Sequence, residues 1–192
     1  SIRPSTFIDT FEPGSIAKIF AAAALLARDL VTPAEEVSGE GGRYRLGRRT
    51  IVDEEPLPSL TLADAIRVSS NIAIVKFAAR LTREAQYTSL RDFGFGTPTG
   101  IEFPTEAAGR LRLPGQWTGL SPASLAMGYE LAVTPIQIAA AYGKMPPNGD
   151  CADAVKQILA QLAVADGVLD LAIGRRDNAA MRLVSGATAD GA

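Results

Sequence analysis

The 192-residue chain is 47% hydrophobic and carries 19 basic against 21 acidic residues, a formal net charge of -2. That length and apolar content support one folded domain with a real core, and the charge balance gives no reason to propose nucleic acid as a partner. The absence of histidine and the single cysteine, Cys151, exclude Ser-His-Asp and Cys-His mechanisms, most zinc sites and any internal disulfide.

Residues 1–10 form a polar, mildly β-prone lead-in, and the lack of Met at position 1 suggests a processed product or part of a longer chain. Pro13 and Gly14 set a turn. Residues 15–30 are almost wholly Ala, Leu, Ile and Phe, closed by Arg28 and Asp29, which predicts a helix apolar all round and hence buried. Thr32-Pro33 ends it. Its apolar run is too short to span a bilayer and carries Lys18, and no signal peptide is visible. Residues 35–59 are rich in Gly, Pro and charge; within them 42–52 alternate enough to predict a hairpin turning near Gly47, with the charge run on a solvated face. Thr61 caps a helix through Ile66. Further helices are predicted over 71–81 and over 83–93, the latter stopped by Gly94 and Gly96. Residues 97–109 read as extended and irregular. Ser121-Pro122 opens a short helix, and Thr134-Pro135 opens another leading to Tyr142. Residues 144–150 break the pattern, 152–165 are amphipathic and helical, and 181–184 suit a strand.

Two polar knots interrupt this apolar pattern. In the first, Ser15 stands three residues before Lys18 at the mouth of the buried helix. Burial disfavours the ammonium form, and a neutral amine can take a serine proton. Ser-x-x-Lys fixes only two residues, so an N-capping serine beside a solvated lysine explains it as well. The second knot is Ser69-Ser70-Asn71, between Ile66 and Ile72 at a helix junction. Capping explains one of these residues. A catalytic role uses Ser69 as a proton relay between Lys18 and a leaving amine, with Asn71 holding the Lys18 amine and a substrate carbonyl.

Taken together, the knots resemble the Ser-x-x-Lys and Ser-x-Asn motifs of penicillin-binding proteins and β-lactamases. Phe11-Glu12-Pro13-Gly14-Ser15 looks like the F/Y-E-P-G-S-T-x-K box of class B penicillin-binding proteins, and its form leans toward the division-type D,D-transpeptidases. Thr50-Ile51-Val52-Asp53, Leu60-Thr61-Leu62-Ala63-Asp64-Ala65-Ile66 and Ser69-Ser70-Asn71 follow that family in order. Phe93-Gly94-Phe95-Gly96, Thr99-Gly100-Ile101 and Pro104-Thr105-Glu106-Ala107-Ala108-Gly109 are similar to its G-F-G…T-G-I…P-x-E-x-x-G segment. Met127-Gly128-Tyr129-Glu130 and the run from Val133 to Tyr142 are similar to its G-Y…V-T-P-x-Q-x-A-x-A-Y helix.

The resemblance implies an α+β fold of the penicillin-binding protein/serine β-lactamase type, with residues 1–143 a transpeptidase-like domain and 144–192 its diverged or truncated C-terminal part. It also implies that Ser15 attacks the penultimate D-Ala carbonyl of a peptidoglycan stem peptide, with Lys18 as base, Ser69 as relay and Asn71 as positioning group. β-Lactams, which mimic D-Ala-D-Ala, would acylate the same serine. No metal or cofactor is implied. Implied partners are stem peptides, β-lactam antibiotics and cell-division or wall-synthesis proteins. The implied location is the cell envelope, on the outer face of the cytoplasmic membrane, with the anchor outside this chain.

The sequence departs from the family pattern in two ways. No K-S-G or K-T-G motif is present; the nearest trace is Val184-Ser185-Gly186-Ala187-Thr188, which offers Ser185, Gly186 and Thr188 as substrate-binding residues or else is an unstructured tail. The strands that the family places before Ser15 and after Gly143 have too little chain here, so the helical part is expected to dominate and much of the central sheet to be missing. Helix 15–30 should then carry apolar surface in need of cover, which invites self-association. Two other functions suit an incomplete site: a non-turnover module that binds β-lactams or wall peptides, and a vestigial scaffold.

Overall fold

The computed structural model describes residues 4–32, 34–102 and 105–145. The helix expected over 152–165, the strand expected over 181–184 and the candidate residues Ser185, Gly186 and Thr188 lie outside them.

The described chain is mixed helix and strand, with helices dominant. The lead-in is not extended: Ser5–Ile8 is a short helix, α1. The long helix expected over 15–30 divides. Gly14–Ala17 is a 3-10 turn, and the α-helix proper, α2, is Lys18–Leu26. It ends before Pro33 because Asp29 takes a left-handed conformation, φ 53°. Leu30 N–H donates to Leu25 O and Asp29 N–H to Leu26 O, the paired bonds of a Schellman ending. All nine residues of α2 are buried. The uncovered apolar surface expected along it is not found, because helices rather than a sheet pack against it.

Strands β1 (Glu36–Ser38), β2 (Arg43–Leu46), β3 (Arg49–Val52) and β4 (Ser59–Thr61) follow. β2 and β3 make the expected hairpin, with Leu46 opposite Arg49 across Gly47-Arg48. Its arginines 43, 45, 48 and 49 are exposed. Thr61 then caps α3 (Leu62–Arg67) with a capping box closed by Asp64. α4 is Asn71–Ala78, capped by Ser70; it stops short of Leu81, and residues 79–81 close in tight turns. α5 is Arg83–Asp92, with Gly94 in the left-handed region just past its end. β5 (Arg110–Leu111), α6 (Ser121–Ala126), β6 (Leu131–Ala132) and α7 (Pro135–Gly143) complete the described chain. Among the described residues the strands form three two-stranded antiparallel ribbons, β1–β4, β2–β3 and β5–β6, and no larger sheet.

The core is built round α2, against which α3, α4, α5 and α6 pack. Phe20 anchors it, with ring centroids 4.8 Å from Phe93, 5.0 Å from Phe95 and 5.2 Å from Tyr142. Each large side chain buried here contributes about 1.5–3 kcal/mol over its exposed state. Lys18, only 2% exposed, is the one charged residue of α2 and lies at its N-terminal end.

Candidate active site

Ser15 and Lys18 share one face because of the 3-10 turn, in which side chains at i and i+3 eclipse. Lys18 N–H donates to Ser15 O. Ser15 itself is exposed, and its hydroxyl has no hydrogen bond among the described residues. The turn is fixed from far along the sequence. Gly14 N–H donates to Gly128 O at 3.0 Å, and Phe11 forms a two-way bridge with Val133. Glu130 N–H donates to Glu12 Oε1 at 2.8 Å, and Tyr142 Oη to Ile16 O at 2.8 Å. Gly128 is left-handed, φ 84°, and a Cβ there would stand 2.0 Å from Gly14 O. Only glycine allows the two segments to approach this closely.

The second turn joins α3 to α4. Ser70 N–H donates to Ala65 O and Ser69 N–H to Ile66 O, so α3 also ends in a Schellman motif, with Ser69 in the left-handed position, φ 55°. A non-glycine residue there stores roughly 1–2 kcal/mol of strain. This conformation turns both oxygens of Ser69 toward α2. Lys18 Nζ donates to Ser69 Oγ at 2.9 Å and, in a shorter bond, to Ser69 O. Ser70 is the capping serine, accepting from Ala73 N–H at 2.9 Å. Burial lowers the Lys18 pKa from 10.5 to about 8, while the negative charges of Asp53 and then Glu54 oppose the fall.

Asn71 is beside this pair but not on it. Its Nδ2 donates to Val52 O at 3.0 Å, so the amide faces β3, and the bond expected between Asn71 and the Lys18 amine is not made. Its Oδ1 is without a hydrogen bond among the described residues. Sequence reasoning singled out Ser15, Lys18, Ser69 and Asn71, and the structure joins Lys18 to Ser69 directly. It missed Asp53, Gly128 and Tyr142 as functional positions, quoting them only inside longer runs. Asp53 opens the acidic run Asp53-Glu54-Glu55 at the end of an alternating strand, and nothing local ties it to a helix start 18 residues later. Among the described residues no cluster of acidic, Cys or His side chains could hold a metal ion, and no helix is long and apolar enough to cross a membrane.

Residues 1–156 match the family described as the penicillin binding protein transpeptidase domain. The probable peptidoglycan D,D-transpeptidase PbpC of Pseudomonas aeruginosa is 34% identical over 148 residues, which are 77% of this chain and 26% of that protein. A crystal structure of a peptidoglycan glycosyltransferase from Burkholderia ambifaria superposes with a TM-score of 0.79 at 30% identity, covering 87% of this chain and 60% of that one. Penicillin binding protein 3 of Mycobacterium tuberculosis, solved in complex with aztreonam, gives 0.74 at 26% identity, over 83% of this chain and 43% of that one. The chain thus spans about a quarter of the length of its curated relative PbpC. Five blocks in order, a lysine buried against a serine and this match over most of the length agree: the chain belongs to the penicillin-binding protein transpeptidase family.

Proposed function

We propose that this chain carries the acylation site of a peptidoglycan D,D-transpeptidase, with Ser15 as nucleophile. One observation carries the reading: Lys18 is buried at the mouth of α2 with its amine on Ser69 Oγ and Ser69 O. With a pKa near 8, about a tenth of Lys18 is neutral at pH 7. A neutral amine has two N–H groups, one for each Ser69 oxygen, and keeps a lone pair for the Ser15 proton. Ser15 Oγ then bonds to the penultimate D-Ala carbonyl carbon. The bond to the terminal D-Ala nitrogen breaks, and the proton passes from Lys18 through Ser69 to that leaving amine. An amine from a second stem peptide later displaces Ser15 from the ester and forms the cross-link. Asn71, whose Oδ1 makes no hydrogen bond among the described residues, positions the substrate amide. A β-lactam enters the first step alone, in keeping with the aztreonam complex of the Mycobacterium tuberculosis relative. On this reading the site works in the cell envelope, outside the cytoplasmic membrane, beside wall-synthesis or division proteins.

A fluorescent penicillin tests the proposal. We expect one adduct, mapped by mass spectrometry to the peptide holding Ser15 and absent from Ser15→Ala. An adduct elsewhere, or one that survives Ser15→Ala, would sink the assignment. Labelling without D-Ala release from a D-Ala-D-Ala peptide would point instead to a β-lactam-binding module without turnover.

A further inference from the structure

Asp53 follows β3 and is buried, 8% exposed. Its own N–H donates to Gly42 O at 3.1 Å. Oδ1 accepts from Asn71 N–H at 2.6 Å and from Ile72 N–H at 3.0 Å, and Oδ2 accepts from Ser70 Oγ at 2.5 Å. The carboxylate thus takes up the first N–H groups of α4, which have no partner inside the helix, and favours the positive end of its dipole. Val52, one residue earlier, accepts from the Asn71 side chain. Ser70 and Asn71 are therefore tied to residues 52–53, and Ser69 to Lys18. We propose that Asp53 is a positioning residue of this site: its carboxylate fixes the turn that carries Ser69 and Asn71, and through Ser69 it fixes the seat of the Lys18 amine. The proposal rests on reading the site as an acylation site.

The hydrogen bonds alone would make Asp53 a structural cap. Its charge gives it a second effect. Burial strips water from Lys18, and the charges that act against that burial are Asp53 first and Glu54 second. The remaining charged residues on the packed helices are Asp64 and Arg67 on α3, paired with each other, Lys76 on α4, paired with Glu40, and Arg83, Glu84, Arg91 and Asp92 on α5; α6 has none. Asp53 thus keeps Lys18 from falling further, to where the amine would be too weak a base to hold a proton in transit.

The experiment follows the Cε resonances of the four lysines, Lys18, Lys76, Lys144 and Lys156, by NMR in 13C-lysine-labelled chain, with Lys18 assigned by its loss in Lys18→Met. Asp53→Asn keeps the shape and the acceptor for Asn71 and Ile72 but removes the charge. The Lys18 midpoint is expected near 8 in the native chain and about one pH unit lower in Asp53→Asn. An unmoved midpoint in a folded Asp53→Asn overturns the proposal. If that variant does not fold, the Asp53 carboxyl carbon of the native chain is followed instead. It should shift at the Lys18 midpoint, and a resonance flat through that pH overturns the proposal equally. Neither readout needs acylation, so a chain that titrates as expected yet takes no penicillin overturns the proposed function alone.

Discussion

The turn that carries Ser15 and the turn that carries Ser69 meet at Lys18, and they are held by different physics. The first is a backbone seam: Gly14 on Gly128, Phe11 on Val133, and the hydroxyl of Tyr142 on Ile16 O. Its contacts are mostly neutral and depend on close approach. The second is held by one buried carboxylate and a left-handed serine. Steric fit places Ser15, and charge places Ser69 and Asn71. A methyl group should therefore damage the first turn, and a change of protonation should be felt at the second.

The largest effect should come from Gly128→Ala. The new Cβ would meet Gly14 O at 2.0 Å on a backbone at φ 84°, and neither segment can shift without breaking the seam. A loss of about 3 kcal/mol or more is expected in urea unfolding. A loss under 1 kcal/mol would mean that the seam is looser than described. The Lys18 midpoint of any folded fraction should stay near 8, since the second turn is untouched.

Lys18→Met probes the charged side of the comparison through pH. The folded-state pKa of about 8 lies below the ordinary 10.5. Below pH 8 both folded and unfolded chains hold the proton, and the folded state carries the full penalty of a buried cation. Between about 8 and 10.5 the unfolded chain holds more protons, so stability rises with pH; above 10.5 the penalty is gone. The rise should be about 2 kcal/mol, allowing for solvent screening at the mouth of the site. It is read as the difference in unfolding free energy between native chain and Lys18→Met at pH 7.5 and pH 10. A flat difference would contradict the burial of the amine.

Tyr142→Phe should be mildest. The ring keeps its place against Phe20, 5.2 Å between centroids, and only the bond to Ile16 O goes. About 0.5–1 kcal/mol is expected by the same unfolding measurement. Burial raises the Tyr142 pKa, so the native hydroxyl keeps donating in mildly alkaline buffer and the effect should hold across that range.

The features legible in the sequence were those with a local signal. Thr61 and Thr134 announce their helices by capping chemistry, and both form capping boxes. Gly47 sits in the turn of the hairpin it predicted. The apolar run around Phe20 gave burial, and burial gave the direction of the Lys18 shift. What failed was set by geometry without such a signal. Asp29 and Ser69 end helices in a conformation usually left to glycine, so a search for Gly or Pro overran the end of α2. The amide of Asn71 can donate through Nδ2 to a strand carbonyl, as it does to Val52 O, or accept through Oδ1 from the Lys18 amine, and spacing alone cannot choose between them. Asp53 works through donors 17 to 19 residues away, beyond any periodicity.

The seam beneath Ser15 has a bearing on the order in which the molecule is assembled. Its partners lie 118 residues from Glu12 and 126 from Ile16, so Ser15 and Lys18 are translated well before the residues that hold them. A nascent chain contains both residues long before it can hold them in place. Contacts so distant in sequence must wait for loop closure, so the turn cannot lock until Tyr142 has left the ribosome and packed on Phe20. A serine translated well before its seam is assembled has no fixed lysine beside it during synthesis.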